Sequence, residues 1–185
     1  MRVRHAALAF AIAFAGLGGR AASAANLADT LASDPRFSRF VELVQGASLT
    51  DALKTASQIT VFAPTDAAFT RVPDTMLRDI APQAGNRQPN QDPQKLQALI
   101  RIHLLSSVYP PNSFIGQRVT VRDEAGTTLI VDGTQSGRIM ITTVPANVGR
   151  PNVAGATTPR EAQVTGQVIA ADNGLIYPID NVLIQ

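Results

Sequence analysis

The sequence predicts an α+β domain in which N-terminal helices pack on a strand-rich C-terminal half. Apolar residues recur at helical spacing in the first half of the chain, and from residue 118 onward they alternate with polar residues, as in half-buried strands. A separate apolar run at 59–62 lies far along the chain from the last strands. We therefore expect this early strand to join the late sheet.

The first 24 residues are predicted to be a secretory signal peptide. Arg2, Arg4 and His5 form a basic start, residues 6–17 form a short apolar core, and residues 22–24 (Ala-Ser-Ala) supply a cleavage site. An apolar core of about twelve residues is too short to span a bilayer, which needs about 20. The sequence thus predicts a secreted or periplasmic protein with no transmembrane segment after cleavage, and a mature domain at 25–185.

Composition excludes several classes of function for the mature chain. The full chain has 16 Lys and Arg against 14 Asp and Glu, and loss of Arg2, Arg4 and Arg20 with the signal peptide leaves an excess of one negative charge. No basic cluster remains, which argues against nucleic-acid binding. The chain has no Cys, so disulfides and thiolate metal sites are excluded, and His103 is the one histidine left for a metal. We expect no cofactor.

Three helices are predicted before residue 106, in addition to a short one that follows residue 64. Residues 33–46 begin with a cap at Ser33 or Asp34 and with Pro35 in the first turn, and they carry one apolar stripe, formed by Phe37, Phe40, Val41 and Val44. A shorter helix is expected at 49–56. The third covers 92–105, with Asp92 as cap, Pro93 at its first position and a stripe of Leu96, Leu99, Ile100 and His103.

Strands with a period of two follow at 118–123, 127–133 and 138–144. Asn173-Gly174 between two apolar runs predicts a hairpin with a type I′ turn, since that turn needs two residues that tolerate positive φ. Two polar loops rich in Pro, Gly and Asn, at 81–92 and 145–160, separate these elements.

The run "ITVFAPTDAAF" at 59–69 predicts a strand that passes directly into a short helix. Pro64 removes a backbone donor and is expected to end the strand, while Thr65 caps the helix that follows. Asp66 lies in the first helical turn, where the dipole favours a negative charge, and Phe69 returns to the core. We expect Phe62 and Phe69 to join the early strand to the helices.

Two motifs of the chain resemble the fasciclin-like domain family. Residues 60–69 ("TVFAPTDAAF") match every position of its first signature, and residues 173–183 ("NGLIYPIDNVL") match its second except at Tyr177, where the family usually has His, and at Pro178. The resemblance covers nearly the whole mature chain. It implies a fasciclin-like fold, with helices on a β-wedge that includes the strand at 59–62. It also implies a structural motif formed by Thr60, Phe62, Pro64, Thr65, Asp66, Phe69, His103, Asn173, Gly174, Tyr177, Ile179 and Asp180.

His103 is the main candidate for catalysis, with Ser106 and Ser107 close by. The Gly-x-Ser-x-Gly elbow of hydrolases is missing, so we expect a half-buried histidine whose ring nitrogens bond to backbone groups. Fasciclin-like domains usually carry a Tyr-His pair here, whereas this chain has Ile102-His103 and lacks the Tyr.

The acidic residues at the last hairpin do not form a cation site. Asp172 and Asp180 flank its final strand without the regularly spaced carboxylates that calcium requires, and Asp180 is expected to accept bonds from backbone donors at the sheet end. Integrin-binding members of the family carry an Asp-Ile pair shortly before the Asn-Gly turn. The aligned pair here is Val168-Ile169, so that contact is not carried over.

The resemblance implies an exported, non-enzymatic interaction domain for cell adhesion or for binding proteins of the cell surface or matrix. Its partner would be a macromolecule at the cell surface or in the envelope, contacted through the loops at 81–92 and 145–160. The alternative is a small molecule or glycan bound in a cleft between helices and sheet. A hydrolase centred on His103 is a third hypothesis.

Overall fold

The structure, a computed structural model, describes residues 25–72, 93–135, 137–144 and 161–184. The predicted signal peptide, the cap at Asp92 and the loops at 81–92 and 145–160 lie outside the described residues.

Short helices form the N-terminal half, as the apolar spacing predicts, but the helix predicted at 92–105 ends at Ile102 and residues 104–105 form a strand instead. The α-helices of the described ranges are α1 (Leu27–Ser33), α2 (Ser38–Gly46), α3 (Thr50–Thr55), α4 (Asp66–Phe69) and α5 (Pro93–Ile102). The predicted helix at 33–46 is divided, because Pro35–Phe37 forms a 3₁₀ turn before α2. The cap of that turn is Asp34, whose side chain accepts a bond from the amide of Arg36 at 3.0 Å.

Two four-stranded sheets form the rest of the domain. Their strands are β1 (Ile59–Pro64), β2 (Leu104–Leu105), β3 (Arg118–Arg122), β4 (Thr128–Asp132), β5 (Met140–Val144), β6 (Glu161–Gln163), β7 (Ile169–Ala171) and β8 (Gly174–Ile179). The first sheet has the order β2-β1-β8-β7 and the second the order β3-β4-β5-β6. β1 and β8 run parallel and lie at the centre of the first sheet. The predicted α+β class, with the early strand in a late sheet, is confirmed.

β1 separates two apolar cores, and all six of its residues are buried. Ile59, Val61 and Ala63 face a core shared with the helices. Phe62 faces the second core, between the two sheets. Phe69 lies in the helical core, so the expectation that both phenylalanines join β1 to the helices is wrong for Phe62, because the alternation of a strand places it on the opposite face.

β1 ends at Pro64, as predicted, although the strand continues two residues beyond the apolar run 59–62. Pro64 pairs with Ile179, and the amide of Thr65 still donates to the carbonyl of Ile179 at 3.1 Å. On the other edge of β1, the amide of Phe62 donates to the backbone carbonyl of His103 at 2.9 Å. The nitrogen of Pro64 points to that same edge beyond the end of β2, so its missing donor costs the sheet nothing.

The last hairpin forms, but its turn differs from the prediction. Ala171 pairs with Gly174, so the two turn residues are Asp172 and Asn173, and none of these positions has a positive φ. The prediction of a type I′ turn at Asn173-Gly174 is therefore wrong. Glycine is needed at 174 for another reason: a Cβ there would collide with the backbone carbonyl of Ile59 in the neighbouring strand.

Candidate functional site

Asn173 connects the last hairpin to two helices. Its Oδ1 accepts a bond from the amide of Leu27 at the start of α1, at 2.8 Å. Its Nδ2 donates to the carbonyls of Leu53 and Ala56 at the end of α3, both at 2.8 Å. One amide side chain thus satisfies backbone groups at a helix start and a helix end, which would otherwise lack partners.

Thr60 holds the segment that follows β2. Its hydroxyl is completely buried, donates to the carbonyl of Ser107 at 2.7 Å and accepts from the amide of Tyr109 at 3.0 Å. The hydroxyl thus donates one bond to, and accepts one bond from, backbone groups that are 47 and 49 residues away in sequence.

Tyr177 fills the position where the family usually has His, and it lies in the second core. Its hydroxyl donates to the carbonyl of Tyr109 at 2.6 Å, and its ring contacts those of Phe62 and Phe114 at centroid distances of 5.7 and 5.8 Å. Burial raises the pKa of Tyr177 to about 12. The residue therefore acts as a neutral hydrogen-bond donor between aromatic rings.

Replacing Tyr177 by phenylalanine is expected to lower the free energy of unfolding by about 1–2 kcal/mol, because the carbonyl of Tyr109 loses its donor while the ring packing stays. Urea unfolding at pH 7 measures this. Tyr109→Phe is the matched control, because the structure shows no hydrogen bond of the Tyr109 hydroxyl to a described residue, and it should change stability by less than about 0.5 kcal/mol. Equal losses in both variants would contradict the role of the Tyr177 hydroxyl.

His103 is completely buried, so the expectation of a half-buried ring is wrong. Nδ1 lies 2.7 Å from the carbonyl of Leu99 and must carry the proton, whereas Nε2 accepts from the amide of Leu183 at 3.1 Å. The ring of Phe40 packs against it at a centroid distance of 5.7 Å. Burial is the main cause that lowers the pKa of His103 to about 4, so the ring is neutral at pH 7.

No ring nitrogen of His103 is left for a substrate. Both nearby serines are exposed, and the hydroxyl of Ser106 donates to Glu124 at 3.3 Å rather than to the ring. A general base must reach the proton that it removes. The geometry therefore does not support the hydrolase hypothesis at this position.

Asp180 joins two segments at the end of β8. Its Oδ1 accepts from the amide of Gln163 at 2.7 Å, and its Oδ2 forms an ion pair with Arg71 at 2.7 Å. The backbone amide of Asp180 donates back to the carbonyl of Gln163 at 3.0 Å. The carboxylate thus accepts a backbone donor at the sheet end.

Asp66 caps a helix other than its own. Its Oδ1 accepts from the amide of Arg39, in the first turn of α2, at 2.9 Å. Thr65 occupies the N-cap position of α4 but makes no side-chain cap bond, and its hydroxyl lies 3.4 Å from the carbonyl of Ile179. The predicted capping role of Thr65 is therefore wrong, because its side chain turns toward β8.

Within the described ranges, no three His, Asp or Glu side chains lie close enough to hold a metal ion. The described residues line at least three pockets. One of about 190 Å³ lies among α1, α2 and α3, and one of about 420 Å³ lies between Pro111 and the segments at 137–139 and 164–168. The third, of about 440 Å³, lies on the second sheet. None of these three is lined by both an α-helix and a strand, as the predicted cleft would be.

The third pocket belongs to a surface that the sequence reasoning missed. We call it the outer sheet face; it consists of the outward side chains of β3 to β6, namely Arg118, Thr120, Arg122, Thr128, Ile130, Asp132, Met140, Thr142, Val144, Glu161 and Gln163. The alternate side chains of these strands fill the second core. The alternation in the sequence predicts which residues point outward, but Ile130 and Met140 are apolar residues at outward positions.

Charged groups surround the apolar centre of the outer sheet face. Arg118 contacts Asp132 through Nε at 2.8 Å and through Nη2 at 2.5 Å. Bonds from the hydroxyl and amide of Thr134, followed by that from Arg118, lower the pKa of Asp132 to about 2. Arg138 and Glu161 also line the pocket. Ile130 and Met140 are partly exposed between them.

No helix in the described part of the chain has both the length and the apolar character needed to cross a membrane.

Comparisons with known proteins agree with the fold. The chain is 26% identical over 159 residues to sll1735, an uncharacterized protein of Synechocystis sp. (strain ATCC 27184 / PCC 6803 / Kazusa). The aligned residues make up 86% of this chain and 97% of that protein. A solved FAS1 domain pair from the insect cell adhesion molecule Fasciclin I superimposes with a TM-score of 0.57 and 17% identity over 87% of this chain. The match covers 51% of that solved chain, so this protein spans about half its length.

The family model of the fasciclin domain matches residues 35–185, which include both signature motifs. The residues of those motifs connect the helices, β1 and β8 in the arrangement described above. The chain therefore belongs to the fasciclin domain family.

Proposed function

We propose that the protein is an exported, non-enzymatic interaction domain that binds a macromolecular partner at the cell surface or in the envelope. The basic and apolar start of the chain supports export, and the insect relative, a cell adhesion molecule, supports adhesion by analogy. Fold alone does not determine function, so the binding surface depends on which side chains the domain exposes.

The outer sheet face is the observation on which the proposal rests. Protein interfaces combine an apolar centre, in which Met and Arg are enriched, with a polar rim. Ile130 and Met140 form the centre of this face and Glu161 belongs to its rim, while Arg138 lines the same pocket beside the face. The motif residues, by contrast, make internal bonds, as the contacts of Asn173 show.

A substitution on the outer sheet face is therefore expected to weaken attachment. Met140→Glu places a charge in the apolar centre and should reduce binding of the purified 25–185 chain to envelopes of the producing organism at least about tenfold, as expected for a central interface residue. Met140 is partly exposed at the pocket, so the variant should remain folded. Titration with labelled protein gives the dissociation constant, and circular dichroism confirms folding.

Val108→Glu is the matched control. Val108 is 39% exposed and lies outside the outer sheet face, so the same change of apolar to charged should leave attachment unchanged. Attachment lost equally in both variants, or retained in folded Met140→Glu, would reject this face as the binding surface.

A further inference from the structure

The backbone of β3 presents an edge that is unpaired among the described residues. Within these residues, β3 pairs only with β4 in the sheet order. The amide of Asp123 donates to Thr127 at 3.1 Å, and the carbonyl of Gln117 accepts from Gly133 at 2.9 Å, so the odd-numbered residues at this edge point their backbone groups at β4. Backbone groups alternate in direction along an antiparallel strand.

The N–H and C=O groups of Arg118, Thr120 and Arg122 consequently point away from β4. None of the backbone hydrogen bonds among the described residues involves these groups. An unpaired row of this kind is a template for another extended chain.

β3 is the longest free edge of the two sheets in the described ranges. The other edge strands are shorter: β2 has two residues, and β6 and β7 have three each. The amide of Asp172, at the end of β7, is also occupied by the carbonyl of Ala25 at 3.1 Å. β3 has five residues, which is long enough for an added strand of ordinary length to pair with it.

The charges on β3 select the chemistry of an added strand. A second copy of the chain, paired antiparallel about Thr120, would place Arg118 opposite the copy's Arg122 at both ends, and like charges directly opposite destabilise such a pair. Arg118 is partly neutralised by Asp132. Arg122 is exposed and has no ion-pair partner among the described residues. Acidic side chains opposite these arginines would be attracted.

We propose that the free edge of β3 accepts an extended acidic segment of the partner as an additional antiparallel strand. The inference rests on the proposed interaction function and specifies its partner. An added strand would use the backbone groups of Thr120 and Arg122 for affinity and would place its alternate side chains beside Arg122 on the outer sheet face, in the mode by which peptides extend sheets.

The test uses a labelled, acetylated heptapeptide with the sequence Thr-Glu-Val-Thr-Val-Glu-Thr. With its central Thr opposite Thr120, its two Glu side chains lie opposite Arg122 and Arg118. Fluorescence anisotropy should show saturable binding. Hydrogen exchange of the amides of Thr120 and Arg122 should slow at least about tenfold on saturation, because they become hydrogen-bonded, while that of Val121, which already faces β4, should stay unchanged.

Two matched probes separate strand pairing from charge alone. A peptide with an N-methyl group on the central Thr keeps every side chain but lacks the donor to the carbonyl of Thr120, and it should bind at least about tenfold more weakly. Replacing both Glu by Lys should weaken binding similarly. Arg122→Glu should abolish the preference for the acidic peptide, while Arg101→Glu, on α5, should retain it.

Equal binding of the methylated and unmethylated peptides would overturn the inference, since only side-chain attraction would remain. Absence of acidic-peptide binding at millimolar concentration would also overturn it. Envelope attachment distinguishes the two proposals: if the 25–185 chain attaches through the outer sheet face but the peptide does not bind, strand addition fails and the proposed function stands.

Discussion

Replacing Phe69 by alanine is expected to lower the free energy of unfolding by about 3–5 kcal/mol. Phe69 is 2% exposed and lies in the helical core with Val61 and Ala63 of β1. It ends α4, a helix of four residues, which depends on this anchor because so short a helix is not stable by itself. The substitution removes that anchor and leaves a cavity between α4 and β1.

Asp66→Asn, three residues earlier, is the matched comparison. The amide oxygen of Asn can still accept the bond from the amide of Arg39, so only the favourable charge at the helix start is lost, a cost within about 1 kcal/mol. Urea unfolding of both variants measures the difference. A larger loss for Asp66→Asn than for Phe69→Ala would show that the Thr65-Asp66 junction matters more than the packing of the core.

Acidification from pH 7 to pH 4 is expected to remove about 3 kcal/mol of stability through His103 alone. The pKa of His103 is lowered from 6.5 to about 4 in the folded protein, so the unfolded chain binds a proton at this residue more readily. The contribution is fully present above pH 6.5 and is lost as the pH falls toward 4. A proton on Nε2 would also remove the acceptor of the Leu183 amide.

His103→Gln isolates this effect from the other titrating groups. Burial raises the pKa of Asp123, so that group opposes the trend: its protonated form is favoured in the folded state, and stability from it is lost as the pH rises. The difference in unfolding free energy between wild type and His103→Gln removes the contribution of Asp123. This difference should shrink by about 3 kcal/mol between pH 7 and pH 4, and a difference independent of pH would contradict the buried neutral ring.

The α+β class and the early strand in a late sheet could be predicted because they depend on local apolar periodicity and on two long motifs. The hydrogen bonds that hold the residues of those motifs in place could not be predicted from the sequence. Nε2 of His103 accepts its bond from the amide of Leu183, 80 residues away, and the roles of Thr65 and Asp66 depend on β8 and α2. A local sequence pattern shows that a polar residue can cap its own helix. It does not show that the side chain instead lies within bonding distance of a different helix, as Asp66 does with α2.

The turn of the last hairpin shows the same limit. Asn173-Gly174 is a strong local signal for a type I′ turn, but packing overrides it: the side chain of Asn173 bonds to α1 and α3, and Gly174 lies against Ile59. The outer sheet face could have been predicted from the alternation of apolar and polar residues at 118–144, since Ile130 and Met140 fall at outward positions. The sequence alone could not show that they share one pocket.

The central claim is that the motif residues hold the fold while the outer sheet face binds the partner. The most direct measurement compares envelope attachment of folded His103→Gln with that of folded Met140→Glu, both at pH 7 and at a temperature where circular dichroism shows each variant to be native. We expect His103→Gln to attach like the wild type and Met140→Glu to attach at least about tenfold more weakly. Loss of attachment in folded His103→Gln with normal attachment of Met140→Glu would contradict the claim and assign the function to the region around His103.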